Sequence, residues 1–310
     1  MSAPFDRLEW WQGLERHCAL TPLLAVAREG KSVAILPLCR KGASLNGLAN
    51  WYSFRIRPIT TGPGKPLELL SAMARNLASM ASHISLGPLP DEDGSATLLS
   101  AAFRQAGWIV LKRVCDTNHY LPLSGRSFAQ YLASRPGPLR TTLRRKTAGV
   151  DTQILSHFDN AAWQAYEDIY RASWKPAEGS PAFLRSFAEQ EGAAGRLRLG
   201  LASIGGHPVA AQLWTVEGGT AFIHKLAHRD DARAASPGTV LTAALSQHVI
   251  DRDRVTDIDF GTGDDPYKRD WMEACRPRYH IDCYRPWSVQ NAFPLARAML
   301  SRLAGRWKHG

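Results

Sequence analysis

The sequence predicts an α/β fold class, in the α+β sense of mixed, mostly antiparallel sheets with helices packed on them, arranged as two tandem units. Three features predict it. "LLAVAREGKSVAILPLCRKG" from Leu23 and "LRLGLASIGGHPVAAQLWTVEGG" from Leu197 both read as strand, Gly-containing turn and strand. The Pro-Gly stretch "TGPGKPL" (61–67) has a counterpart in "ASPGTVL" (235–241), and "HISLGPL" (83–89) has one in "DIDFGTG" (257–263). Each pair is 174 residues apart (23 and 197, 61 and 235, 83 and 257), so the chain contains an internal repeat.

Taken in order, Phe5, Leu8, Trp11 and Leu14 recur at helical spacing and predict an amphipathic first helix. The first unit then covers about 1–140. "SFAQYLASRPGPLRTTLRRKTAG" carries two helical pieces broken at Pro136-Gly137-Pro138 and marks a boundary. "AAWQAYEDIYRASWK" is an amphipathic helix leading into a second unit, about 150–288. That unit is expected to place strands at 197–204, 208–216 and 220–227, a helix at 238–250 and a strand at 256–260. Short turns let the first three strands pair antiparallel, and the helix must cross over to bring the last one in parallel. The tail 289–310 sets Phe293, Ala296, Leu300 and Leu303 against Arg297, Arg302 and Arg306. This basic amphipathic helix packs on its own domain or makes peripheral contact with an anionic membrane.

With 310 residues there is room for two domains. No apolar run approaches the roughly 18 residues of a membrane span. Five cysteines, an odd number with no CxxC pair, argue against a disulfide framework or zinc ribbon and point to a reducing cytoplasm. A net charge of +10 favours anionic partners, or serves solubility alone.

Four stretches carry a family resemblance: "SWK" (173–175), "GGHPVAAQL" (205–213), "IHKLAHRDDARAASPGTVL" (223–241) and "DFGTGDDPYKRDW" (259–271). The pattern resembles the GNAT acyltransferase superfamily, in the tandem form of CelD-type acetyltransferases and FemABX-type proteins. The resemblance implies transfer of an acyl group from a thioester, usually acyl-CoA, to an amine on a small molecule, peptide or glycan precursor. FemABX relatives use aminoacyl-tRNA instead, which makes tRNA the alternative partner. A degenerate GNAT scaffold that binds without turnover is the non-enzymatic alternative. The superfamily's anion loop, Gln/Arg-x-x-Gly-x-Gly/Ala, matches Arg233, Ser236 and Gly238, with serine in place of the first glycine and a proline intervening.

The residues support that chemistry as follows. Ser236 is placed to cap a helix, Pro237 suits its first position, and Gly238 permits close backbone approach. The amides of that first turn, through Thr239, form an anion site suited to a pyrophosphate, with Arg233 alongside. The alternative is a well-capped structural helix. His224 lies on the strand before this loop and alternates with Phe222 and Leu226, so all three share one face. It is either a proton acceptor or a hydrogen-bonded core histidine. Lys225 points the other way, toward a sheet face or a phosphate.

Asp259 and Asp265 are alternative bases if burial raises their pKa. Tyr267 can donate a proton to a departing thiolate, and Lys268 can stabilise an anion, unless the two only meet Asp264 or Asp265 locally. The resemblance implies that the strand at 256–260 splays from the preceding strand and opens a cleft for the thioester, and Gly261 and Gly263 would let the chain turn sharply at its mouth. "DFG" lacks the other kinase motifs, and "GTG" lacks the helix and third glycine of a dinucleotide fingerprint. His224 and His228 are separated by about 13 Å along a strand, so no metal site is indicated.

Overall fold

A computed structural model describes residues 2–286. The first repeat runs α1 (Leu8–Cys18), β1 (Pro22–Glu29), β2 (Ser32–Lys41), β3 (Ser44–Gly47), β4 (Ile59–Thr61), α2 (Pro66–Leu77), β5 (His83–Leu89), α3 (Ser95–Gln105) and β6 (Ile109–Pro122). Then come α4 (Phe128–Ala133), α5 (Gly137–Lys146), β7 (Asp151–Leu155), α6 (Asn160–Arg171) and α7 (Pro181–Ala193). The second repeat runs β8 (Leu197–Ile204), β9 (His207–Glu217), β10 (Thr220–His228), α8 (Pro237–Gln247), β11 (Asp257–Thr262), α9 (Pro266–Trp271) and β12 (Ala274–Tyr284). The tail assigned to a basic amphipathic helix lies outside the described residues.

The two repeats have the same strand order. β1-β2-β3-β5 and β8-β9-β10-β11 each pair antiparallel, antiparallel and then parallel across the helical crossover. In the second repeat the hairpins close on Gly205-Gly206 and Gly218-Gly219. All four residues have positive φ, the conformation that matches a two-residue turn to strand twist.

The final strands are exchanged. β6, which ends the first repeat, pairs antiparallel with β11, and β12, which ends the second, pairs antiparallel with β5. The compact units are therefore not the linear stretches 1–140 and 150–288. One unit joins Thr117–Arg276 to the described residues up to Cys18; the other joins Ala19–Asp116 to the described residues from Pro277. α1 belongs with the first of these because Trp10 packs edge-on against Phe183 and Phe187 of α7, with ring centroids 5.0 Å apart in each case.

In the Thr117–Arg276 unit, a core of Trp214, Leu241, Leu245, Ile258 and Phe260 fills one face of the sheet, under α4, α5 and α8. The other face is covered by α6 and α7. Asp159 Oδ1 caps α6 by accepting the Ala162 amide at 2.8 Å, and Ser180 caps α7 ahead of a proline at its first position. In the Ala19–Asp116 unit, Leu36, Leu45, Ile84 and Ile281 pack under α2 and α3.

Candidate active site

The parallel ladder between β10 and β11 is short. It holds only at Thr220↔Asp257, Ala221↔Ile258 and Phe222↔Asp259, although β10 continues to His228 and β11 to Thr262. Past that point β11 leaves β10, as the expected splay requires. Gly261 and Gly263, at φ +69° and +95°, turn the chain at the mouth in a conformation that a side chain would strain. The wedge opens a cavity of about 520 Å³ lined by Trp174, His228, Gly238, Thr239, Phe260 and Tyr267, with Arg233 and Leu139 at its border.

One wall of this cavity is the start of α8. Ser236 does not cap it, contrary to the sequence expectation. The residue sits in the left-handed region (φ 53°, ψ 42°), which turns its hydroxyl away from the first-turn amides, and no side-chain cap bond forms. The amides are also less available than the sequence suggests. Ser236 N–H donates to Arg233 O, Pro237 has none, and Thr239 N–H donates to Ser236 O at 3.1 Å. Among the described residues, the Gly238 amide is the first-turn donor left for a ligand. Gln212 of β9 fixes this turn by donating to Gly238 O at 3.0 Å and Thr242 Oγ1 at 2.7 Å, and its own oxygen is held by Trp214 Nε1.

The opposite wall carries the aspartate–tyrosine–lysine cluster, and its members separate by role. Asp259 is buried and fully engaged. Its Oδ1 accepts Asn118 Nδ2 at 2.7 Å and the Gly261 amide at 2.9 Å, and its Oδ2 accepts Arg276 at 3.0 Å. Arg276 Nε also donates to Asn118 Oδ1, which closes a network from β11 to β6. With both oxygens taken by two amide donors and a guanidinium, Asp259 shapes the turn. Asp264 is likewise occupied, by His119 at 2.8 Å and Arg269 at 2.6 Å, which together hold its pKa below the usual carboxylate range.

Asp265 differs. It is exposed, and among the described residues its carboxylate accepts no hydrogen bond. Tyr267 lines the cavity beside Phe260, and loss of water around its phenol, then the Asp265 charge, push its pKa up to about 12. Lys268 is buried, and its ammonium donates to the carbonyls of Thr262 and Gly263. It therefore pins the glycine turn.

His224 is not in the cavity. Its Nε2 meets Thr215 Oγ1 at 2.8 Å, and the rings of Phe5, Trp10, Phe187 and Phe222 surround it. Burial, then the nearby charges of Arg7 and Lys225, lower its pKa to about 3, so it is a neutral core histidine at physiological pH. The expected alternation fails because β10 bulges against β9 between Ile223 and Lys225. The extra residue shifts the phase. Lys225 joins the α6 and α7 side, where it binds Glu178 at 2.8 Å, while Leu226 faces the cavity instead of sharing His224's side.

Sequence reasoning left several neighbours unassigned. Trp174, of the quoted "SWK", lies tilted against His228 on the cavity wall, with ring centroids 4.4 Å apart. Lys175 follows it, and Asn118, His119 and Arg276 complete the network around β11. The last three come from strands whose pairing depends on the exchange, which no local motif reports. No group of three or more His, Cys, Asp and Glu side chains among the described residues is placed to hold a metal ion.

Comparisons with known proteins fit this geometry. The acetyltransferase (GNAT) domain family matches residues 126–269, the span that contains the wedge. The fold is similar to that of solved FemX (TM-score 0.63, 10% identity, 90% of this chain and 91% of that one). It is also similar to L-PGS from Bacillus licheniformis (TM-score 0.57, 13% identity, 99% and 98%). A tandem GNAT protein from the clavulanic acid biosynthesis pathway is similar over 90% of this chain and 89% of that one (TM-score 0.50, 15% identity). No curated protein sequence matches.

Proposed function

We propose a function from one premise: this chain is a GNAT-superfamily acyltransferase of the tandem, FemABX-like form. It moves an acyl group from an activated carrier to an amine, and the reacting bond sits in the β10–β11 wedge. The observation that carries this reading is the loss of pairing after Phe222 and Asp259, which opens a cavity between an α8 amide and a phenol.

In the transfer, the acceptor nitrogen attacks the carrier's acyl carbon, a C–N bond forms, the bond to the carrier breaks, the nitrogen loses a proton and the departing group gains one. Asp265, exposed and with no bonded donor among the described residues, would bind the acceptor's ammonium, whose proton passes to water. Tyr267 keeps its own proton at neutral pH and so presents a hydrogen-bond donor to the developing anion. Gly238, Thr239 and Arg233 border the carrier's phosphate end, with Ser236 supplying the turn. Lys268 and Asp259 hold the loop that aims Tyr267. His224 and Lys225 support the sheet from its other side.

Acyl-CoA is the carrier in the leading reading. Aminoacyl-tRNA is the second, and two observations favour it: the α8 turn offers a pyrophosphate few free amides, and the chain carries a net charge of +10. Thiol release from acetyl-CoA with a panel of amines, run beside deacylation of charged tRNA, separates the two. Amine-dependent thiol release supports the CoA reading; tRNA deacylation alone replaces it with the second. The absence of both activities would overturn acyl transfer at this wedge.

A further inference from the structure

A second cavity of about 440 Å³ lies in the same unit, between the end of α6 and the start of α7, and its lining includes Trp163, Tyr166, Tyr170, Lys175, Glu178 and Leu184. Positions 163, 166 and 170 follow one face of α6, and their rings succeed each other at 4.7 Å and 6.2 Å. The indole N–H of Trp163 is already given to Glu167, so this wall offers a ligand the faces of its three rings, with Glu167 and Arg171 beside them.

Trp174 lines the carrier cavity and its neighbour Lys175 lines this one, so a two-residue step connects them. Three ammonium groups gather at the step, and two are accounted for. Lys225 is bound by both oxygens of Glu178, at 3.0 and 2.8 Å, and Lys268 by two backbone carbonyls. Lys175 has neither a carboxylate nor a carbonyl within bonding distance among the described residues; its Nζ lies 5.6 Å from the Trp174 ring. Burial, then Lys225, lower its pKa from the ordinary lysine value, against the opposing pull of Asp265 and Glu178. A half-buried ammonium with no carboxylate within bonding distance among the described residues can still take up an anionic partner, and a paired charge repays its desolvation.

Building on the acyl-transfer reading, we propose that Lys175 binds an anionic group on the acceptor. The acceptor is then an amine that also carries a carboxylate or phosphate, on an apolar body that lies against the α6 rings. Its amine is directed to Asp265 at the wedge. The surroundings thus select an acidic amine over a polycation, because Asp259 and Asp264 are already neutralised by their own partners.

The test is acyl transfer to phenylalanine and leucine against their amides, and to phosphoethanolamine against ethanolamine, with the carrier that supports turnover. The wild-type chain should prefer the acidic member of a pair by about tenfold or more in kcat/KM. Lys175→Met should erase that preference through KM while transfer to the amides persists, and Lys175→Arg should keep it. The pair that shows the preference tells carboxylate from phosphate. Equilibrium dialysis of the preferred acceptor should show weaker binding to Lys175→Met in the absence of carrier. Transfer without preference, or an equal fall in kcat for acidic and neutral amines in Lys175→Met, overturns the proposal and leaves the acyl-transfer reading standing. No transfer to any amine overturns both.

Discussion

The two repeats share a strand order and differ at the place where function would sit. In the second repeat the ladder between β10 and β11 ends early and a cavity fills the gap. In the first, the ladder between β3 and β5 also ends early, after Asn46↔Ser85, but Ile56 closes the gap. The Ile56 amide donates to Pro88 O at 2.8 Å, its side chain is buried, and a Cβ on Gly47 would collide with it. The loop matching the start of α8 is blocked too. Gly64 N–H donates to Ser32 Oγ at 2.7 Å, and α2 begins two residues beyond, at Pro66, whereas Pro237 itself begins α8. One fold thus yields a wedge that can admit a carrier and a wedge filled by its own side chains. Fold and site are separable properties of the repeat.

The sharpest way to break this contrast is to fill the open wedge. Gly238→Glu places a carboxylate at the one free amide of the α8 turn and should abolish carrier binding in a chain that still melts cooperatively, read by calorimetry beside thermal unfolding. Next in size, Tyr267→Phe should lower turnover by roughly 100-fold or more with little change in carrier affinity, as expected for a lost proton or hydrogen-bond donor.

Opening the closed wedge should affect stability alone. Ile56→Ala should cost about 2 kcal/mol or more by leaving a cavity, measured by denaturant unfolding, without creating a second carrier site. The smallest effect near neutrality concerns His224. Its folded pKa, about 3, lies below the unfolded value near 6.5. Its contribution to stability is therefore complete above about pH 6.5 and is lost as the pH falls toward 3, because the unfolded chain takes up the proton first. His224→Gln should flatten that part of the stability profile and leave turnover near wild type.

The repeat was legible because glycine and proline punctuate it at fixed offsets, and a strand order follows from hairpin lengths. The glycine turn at Gly261 and Gly263 was legible for the same reason, whereas the splay came from the family resemblance. The exchange of β6 and β12 was not, because pairing partners 130 or more residues apart leave no local pattern. His224 and Lys225 were misplaced by one bulge, which a period-two reading cannot anticipate. Ser236 was read as a cap from its residue type, yet its left-handed backbone decides otherwise. Asp259 was weighed as an alternative base on the condition of burial, and its donors Asn118 and Arg276, which come from other strands, leave no local signal. Lys175 stood within a quoted motif, and only the tertiary structure shows that no carboxylate or carbonyl among the described residues lies within bonding distance of its ammonium.

The central claim is that a single wedge, the one beside α8, holds the carrier. Titrating the carrier that supports turnover into the wild-type chain, Gly238→Glu and Ile56→Ala tests it most directly. The account predicts one equivalent bound by the wild type and by Ile56→Ala, and none by Gly238→Glu. Two equivalents in the wild type, or undiminished binding in a folded Gly238→Glu chain, would contradict it.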